Sequence, residues 1–390
     1  MTSSKKATIR PPTEAFVWVW LPGTTSPVVA GRVYQEGEQL SFNYGRRYLE
    51  RNDAIPLYLP ELPLQPGKIP PEPGLSVAGC LRDSAPDAWG RRVILHRTAG
   101  IKGNDVDIGA LNELTYLLES GSDRVGALDF QTSPTEYFPC ASATATLEDL
   151  LSAAEFVEKG VSLPPELEQA LLHGSSLGGA RPKAMIEDGE KKLIAKFSSS
   201  TDTYNVVKAE FIAMRLAAKA GLSVAPVHLK HSAGKDVLLV ERFDRARGRT
   251  GWQRRAMVSA LTIFGLDEMM ARYASYADLT DIIRHRFTAP KSTLQELFRR
   301  LVFNIACGNT DDHARNHAAF WDGKQLTLTP AYDICPQPRT GNEASQAMLI
   351  TRDSRASVFA TCMEAATNFH LTGPSAERIS NEVVETIHNE

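Results

Sequence analysis

Cysteine is scarce in this sequence: five in 390 residues, at positions 80, 140, 307, 335 and 362. They are scattered, odd in number and never spaced C-x-x-C. Such a pattern argues against a disulfide framework or a zinc site. The pattern fits a reducing compartment, and the cytoplasm is the expected location. A positive excess is also lacking. Lys and Arg number 43 against 46 Asp and Glu, for a formal net charge of −3. A dedicated nucleic-acid binder carries a basic surplus. No apolar run approaches the ~18 residues of a membrane helix. The run Ala15–Leu21 behind the basic start is short and ends in Pro22-Gly23. It reads as a strand, not as the core of a signal peptide. Repeats and low-complexity tracts are absent.

What is present is a chain long enough for two or three domains. Residues 1–12 read as a disordered lead-in. From Phe16 to Tyr58 the pattern is β, with runs at Phe16–Trp20, Val28–Tyr34 and Leu40–Tyr44 separated by turn signals. The proline-rich connector Leu59–Gly74 has no helical period and is expected to run extended over the surface. Helices are expected from Asp83, with Ser84 or Asp83 as cap and Pro86 in the first turn, over Asn112–Ser120, and over Leu147–Lys159 with Thr146 as cap. Lys191–Phe197 reads as a strand, Tyr204–Ala220 as a helix stopped by Gly221, and Val237–Phe243 as a strand. Beyond about residue 258 the pattern is mostly helical, interrupted at Gly308–Asp333.

Three segments carry chemistry. The first is glycine-rich, His173-Gly-Ser-Ser-Leu-Gly-Gly-Ala-Arg-Pro-Lys183. Glycines let backbone N–H groups approach phosphate oxygens. The segment fails as a Walker A loop, because Ala180 and Arg181 stand where Lys and Ser/Thr belong. Against G-x-G-x-x-G it matches the first and third glycines, with Ser176 in place of the second. The second is Lys196 on the strand just after, followed by Glu210 on the next helix. That order suits a phosphate-binding lysine held by a helix glutamate. The third is Gly308-Asn-Thr-Asp-Asp-His-Ala-Arg-Asn316. Asp311 and Asn316 have the D-x-x-x-x-N spacing of a kinase catalytic loop, and Asp312 does not. Asp333 follows in Thr329-Pro-Ala-Tyr-Asp and suits a second magnesium ligand.

These segments resemble the HipA family of bacterial serine/threonine kinases, the toxin halves of toxin–antitoxin pairs. The resemblance rests on Ser176-Leu-Gly-Gly-Ala-Arg-Pro-Lys183, Lys196, Val240-Glu-Arg-Phe-Asp-Arg245, Thr310–Asn316 and Pro330-Ala-Tyr-Asp333. Gly121–Asp129 and the β region before it resemble the family's extra amino-terminal subdomain. The resemblance implies an α/β (α+β), two-lobed protein-kinase-like fold. A HipA-type subdomain would fill 13–130, an N-lobe 131–257 and a mostly helical C-lobe 258–390.

It also implies roles. Asp311 would accept the proton of the attacking hydroxyl, and Asn316 and Asp333 would bind Mg2+. Gly178, Gly179, Ala180, Lys183 and Lys196 would face the ATP phosphates. The backbone of Glu241 and Phe243 would hold adenine, with His313 and Tyr332 near the nucleotide. Ser176 would be the site of an inactivating autophosphorylation. The acceptor would be a protein hydroxyl, an aminoacyl-tRNA synthetase of the glutamyl type, and the result an arrest of translation and growth. The partner would be a HipB-like helix-turn-helix antitoxin through which the chain reaches DNA.

Two other readings share these motifs: a lipid or small-molecule kinase of related fold, and a non-catalytic corepressor acting with the antitoxin. The basic run Arg245–Arg255 reads as a solvated loop between lobes. Trp18, Trp20, Trp89 and Trp321 read as core.

Overall fold

The computed structural model describes residues 11–99, 109, 111–140, 145–161, 163–164, 167, 176, 179–199, 201–339 and 341–390. The lead-in before Pro11, and Gly178 in the glycine-rich segment, lie outside the described residues. Four strands open the fold: β1 (Glu14–Val19), β2 (Val28–Glu36), β3 (Gln39–Tyr44) and β4 (Leu128–Gln131). They form one antiparallel sheet in the order β3-β2-β1-β4, so the sheet is closed by a strand about a hundred residues downstream in sequence. The β2–β3 hairpin turns through Gly37, whose φ of 61° a glycine adopts without steric cost.

The proline-rich connector departs from the expected surface loop. Its prolines deny it regular structure, but Leu62 and Ile69 between them are buried, and Ile69 bridges to Phe42 of β3. Glu61 is buried as well and accepts the Gly79 and Cys80 N–H groups at 2.8 Å each. Asp83 does not cap the next helix, which starts later, at Ala88–Ala99. It accepts instead from the Ser259 N–H and Oγ at 2.6 and 2.8 Å. The other two helix expectations hold: Asn112 caps Glu113–Glu119, and Thr146 forms a capping box with Asp149 on Leu147–Glu158.

The second sheet contains β5 (Lys183–Asp188), β6 (Lys191–Phe197), β7 (Val227–Ser232) and β8 (Lys235–Glu241), in the order β5-β6-β8-β7. The helix Val206–Lys219 lies on it. Its buried residues Val206, Val207, Glu210, Ala213, Met214 and Ala217 recur at helical spacing. Glu210 is the anomaly on that stripe, a carboxylate among apolar side chains, and such a group needs a partner.

A hairpin of β9 (Arg245–Arg247) and β10 (Trp252–Arg254) follows, then a small sheet of β11 (Met257–Ser259), β12 (Ala318–Trp321) and β13 (Leu326–Leu328). The basic run is therefore only partly the solvated loop expected. Arg245 is buried, Arg254 donates to the Ser122 carbonyl at 2.8 Å and lies 3.4 Å above the Trp20 ring, and Arg255 lies 3.3 Å above Phe320. The helices Tyr276–Arg286, Pro290–Cys307, Phe359–Ala365 and Gly373–Asn389 complete the carboxy-terminal part. Pro290 opens the longest of them, and Gly308, in the left-handed region at φ 76°, ends it. That stop delivers the chain into the Asp311–Asn316 loop. All four tryptophans singled out are buried, and a continuous apolar core runs from the first sheet into the carboxy-terminal helices.

Candidate active site

Lys196 points from β6 toward the helix behind it, where its Nζ meets Glu210 Oε1 at 2.5 Å. The same ammonium also pairs with the Asp333 carboxylate. Asp333 has φ 59°, a left-handed conformation that costs a non-glycine residue roughly 1–2 kcal/mol. Such strain is found where a side chain must be aimed. Burial pulls the Lys196 pKa down, but Asp333 and Glu210 outweigh it and hold it above its ordinary value. Lys196 in turn holds the Asp333 carboxyl well below the usual range. The Glu210 carboxyl is pushed up by burial, with Lys196 opposing.

Lys183 pairs in register with Lys196 across β5 and β6. It is buried, and desolvation together with the neighbouring Lys196 charge lowers its pKa to about 8. Its Nζ lies against Gly179, whose φ of 94° and lack of a Cβ permit the approach. Gly179 and Ala180 of the glycine-rich segment are anchored at the helix Ala88–Ala99, a contact the motifs do not signal. Gly179 N–H donates to Asp87 at 2.6 Å, Trp89 N–H to the Gly179 carbonyl at 3.2 Å, and Arg92 to the Ala180 carbonyl at 2.5 Å. Ser176 is buried, and its Oγ lies 3.4 Å from the Asp123 carbonyl.

The loop after Gly308 is organised by its own backbone. His313 N–H donates to the Asp311 carbonyl at 2.9 Å, and Asn316 N–H to the His313 carbonyl at 2.8 Å. Asn316 Nδ2 also donates to the Asp311 carbonyl, at 3.0 Å. The two adjacent aspartates have different environments. Asp311 reaches solvent, yet desolvation by the surrounding protein raises its pKa; His313 opposes this, and Asp333 and Asp312 add to it. Asp312 is buried, bound to the Tyr276 hydroxyl and, at 2.8 Å, to His317 Nε2. Burial would raise its pKa, but His317 and these hydrogen bonds bring it below the ordinary value. Asp312 thus supports the loop, while Asp311 is presented.

Tyr332 closes the site from below. Its hydroxyl donates to the Arg315 carbonyl at 2.7 Å, and its ring lies 5.6 Å from Phe243. At the connection after β8, the Glu241 N–H is already given to the Pro226 carbonyl at 2.9 Å. The Phe243 N–H has no acceptor among the described residues. Any base held there would therefore use the Phe243 N–H and the Glu241 carbonyl, not both N–H groups. Sequence reasoning also missed Arg315, which bridges Asp87 and Glu268, the latter at 3.0 Å. Its only signal was an arginine inside the D-x-x-x-x-N loop.

A family model described as the HipA-like C-terminal domain matches residues 175–390, and one described as the HipA N-terminal domain matches residues 19–131. The chain belongs to the HipA family. Among its relatives, a protein named putative kinase Y4mE from Sinorhizobium fredii is 28% identical over 255 residues, 58% of this chain and 58% of that protein. The serine/threonine-protein kinase toxin HipA of Shewanella oneidensis is 28% identical over 183 residues, 41% of this chain and 42% of that protein. The chain spans about half the length of the curated relatives it matches. In fold it is similar to HipA in the complex of Shewanella oneidensis MR-1 HipA, HipB and operator DNA. The TM-score is 0.69 at 20% identity, over 96% of this chain and 91% of that one. The mixed α/β architecture with a helical carboxy-terminal part agrees with the expected HipA fold. No helix among the described residues is long and apolar enough to cross a membrane.

The donor set of this HipA-family chain suits a hard divalent cation. Asn316 Nδ2 donates to the Asp311 carbonyl at 3.0 Å, so Oδ1 is the side-chain atom that can face a cation. Asp333 adds a carboxylate. No group of three or more His, Cys, Asp or Glu side chains converges among the described residues. One amide oxygen and one carboxylate, completed by phosphate and water, match the way Mg2+ is held beside nucleotides.

Proposed function

We propose that this chain is an ATP-dependent protein kinase of the HipA toxin type, transferring the γ-phosphoryl group to a serine or threonine hydroxyl. The observation that carries the reading is Lys196 held between Glu210 and Asp333, with Asp311 and Asn316 on an adjoining loop. A lysine so fixed can grip ATP phosphates, and its position is set before the nucleotide arrives. Lys183 and the glycine backbone add positive potential to the same place. The Glu241 carbonyl and Phe243 N–H receive adenine, with Tyr332 behind it.

The chemistry asks for little covalent work from the protein. Asp311 orients the acceptor hydroxyl and takes its proton, and its solvent-facing position leaves room for a substrate side chain. Asn316 and Asp333 would hold Mg2+, which supplies charge neutralisation at the transferring phosphoryl group. Asp312 keeps the loop in place through Tyr276 and His317. Ser176 serves as an off-switch. Its burial leaves no room for a phosphate carrying roughly −1.5 to −2 charges, so the modified segment must leave its place.

The rest of the reading follows the relatives. The division into a subdomain at 13–130 and lobes at 131–257 and 258–390 belongs to it, as does a cytoplasmic location. A HipB-like helix-turn-helix antitoxin is the proposed partner, supported by the similar fold having been solved with HipB and operator DNA. The proposed acceptor is an aminoacyl-tRNA synthetase of the glutamyl type.

The test is transfer from γ-labelled ATP with magnesium, wild type against Asp311→Ala, followed by phosphosite mapping. Label on Ser176 or on the added synthetase, lost in the variant, supports the reading. Equal label in both proteins removes Asp311 as the base. Nucleotide binding without label in either protein favours a non-catalytic role.

A further inference from the structure

Between the two residues proposed to hold adenine stands Arg242, whose side chain passes Met185 of β5, with Nη1 3.0 Å from its Sδ. In an extended segment successive side chains point to opposite faces, so Arg242 projects away from the side shared by Glu241 and Phe243. It enters the amino-terminal domain, where its side chain is 1% exposed. There it donates to the Asp123 carboxylate at 3.1 Å, the Asp123 carbonyl at 3.0 Å and the Arg124 carbonyl at 2.7 Å. Asp244, two residues on, takes its Nε and Nη2 at 2.9 and 2.8 Å and also accepts the Gly126 N–H at 2.8 Å. Arg245 completes the cluster. It donates to Asp123 at 3.0 and 2.8 Å, to Asp244 at 2.9 Å and to the Gly126 carbonyl at 2.9 Å.

The charges of these four groups balance, two guanidinium groups against two carboxylates. Apart from Met185 Sδ, the hydrogen-bond partners of their side chains lie about 120 residues away in sequence or within the hinge itself. Asp123 is the one carboxylate of the four groups that comes from the other domain. Lys192 Nζ lies 3.6 Å from its second oxygen, and its carbonyl faces the Ser176 hydroxyl.

We infer that Asp123 is a positioning residue for the nucleotide hinge: from the amino-terminal domain it fixes Arg242, and through it the Glu241–Phe243 backbone that receives adenine. The inference rests on the proposed nucleotide site. It gives the amino-terminal domain a share in ATP affinity without any contact to ATP. A planar, forked guanidinium bound on both edges holds its own backbone in one place, which an ordinary apolar domain contact would not do.

The test compares Asp123→Asn and Asp123→Glu with a control, Asp129→Asn. The control breaks a fully buried ion pair of the same domain, Arg124–Asp129 at 2.7 Å, in which Arg124 uses its side chain, whereas Arg242 and Arg245 reach only its backbone carbonyl. Affinity for a fluorescent ATP analogue is titrated below the melting point of each variant, and KM for ATP and kcat are measured alongside. Asp123→Asn is expected to weaken nucleotide binding and raise KM about tenfold with kcat within about twofold. Asp123→Glu should restore most of the affinity, and Asp129→Asn should lower the melting temperature while leaving affinity unchanged. Equal affinity in wild type and Asp123→Asn overturns the inference and leaves the kinase reading intact. Equal weakening in Asp123→Asn and Asp129→Asn also overturns it, in favour of general domain stability. A wild-type protein that binds no nucleotide removes the kinase reading and the inference together.

Discussion

Lys196 and Asp333, 137 residues apart in sequence, share an ion pair that joins the second sheet to the segment following the Asp311–Asn316 loop. Glu210 holds the same ammonium from behind, at 2.5 Å. The lysine is thus the point at which a strand, a helix and a strained loop residue meet, and it is poised before any nucleotide is bound.

Replacing that lysine should damage stability as well as activity. Lys196→Met leaves Glu210 buried opposite Asp333 without its direct ion-pair partner, with Lys183 as the neighbouring cation. Breaking a buried pair from one side costs about 3–5 kcal/mol. The Glu210 carboxyl, already raised by burial, rises further without Lys196. A carboxyl raised in the folded state contributes stability that is present below its unfolded value and lost as pH rises through the folded one. The variant's deficit should therefore be larger at pH 8 than at pH 5, read by denaturant melts at both. A deficit independent of pH would show that Glu210 finds another partner.

The adjacent aspartates should separate cleanly. Asp311→Ala removes a solvent-facing carboxylate and is expected to abolish transfer while leaving the melting temperature near wild type. Asp312→Ala strips His317 and Tyr276 of a buried partner and should cost about 3–5 kcal/mol of stability. Tyr276→Phe should cost about 1–2 kcal/mol by the loss of one buried hydrogen bond. Because desolvation raises the Asp311 pKa, the acid limb of the transfer rate should lie above the ordinary carboxylate value. Thermal melts and a pH–rate profile check all four. A folded, active Asp312→Ala protein would reverse the assignment.

Several contacts of the candidate site were legible because they follow rules local in sequence. The D-x-x-x-x-N spacing separated Asp311 from Asp312, and the order of strand lysine and helix glutamate anticipated the Lys196–Glu210 pair. Lys191–Phe197 and the Thr146 cap were found for the same reason. What escaped depends on distant partners. The connector after Leu59 looked unstructured because prolines exclude regular elements, but nothing local shows that Ile69 will lie on Phe42. Asp83 has the composition of a helix cap and is instead drawn off by Ser259, 176 residues away. Arg245 and Arg254 looked like solvent-facing charges in a basic run. Their acceptors, the Asp123 carboxylate and the Ser122 carbonyl, belong to another domain.

Ser176 makes a prediction about order of events. Its hydroxyl is buried, with Oγ 3.4 Å from the Asp123 carbonyl, so under the proposed off-switch Ser176 must leave that position to be phosphorylated and cannot return to it. Ser176→Ala should keep nucleotide affinity and lose any self-inactivation. The phosphorylated protein should bind an ATP analogue at least tenfold more weakly, by repulsion between like charges and loss of the loop contacts. Titration of unmodified, Ser176→Ala and enzymatically phosphorylated protein measures this. Undiminished affinity in the phosphorylated form would remove Ser176 as an off-switch.

Lys183 should report nucleotide binding through protons. Burial, and then the Lys196 charge beside it, lower its pKa to about 8, so near that pH about half the molecules carry a neutral amine there. The sign for stability follows. A lysine lowered in the folded state favours the unfolded chain while protonated, so apo stability should rise with pH from about 8 toward the ordinary lysine value near 10.4. Bound ATP reverses the local field. Its phosphates favour the ammonium, and the protein should take up about half a proton per nucleotide at pH 8. Calorimetric titration with a non-hydrolysable ATP analogue and magnesium, in two buffers of different ionisation enthalpy, measures that uptake. Lys183→Met should abolish the buffer dependence and weaken binding. A wild-type enthalpy that is the same in both buffers would mean that Lys183 keeps its proton throughout, and that the positive charge facing the phosphates is already complete before they arrive.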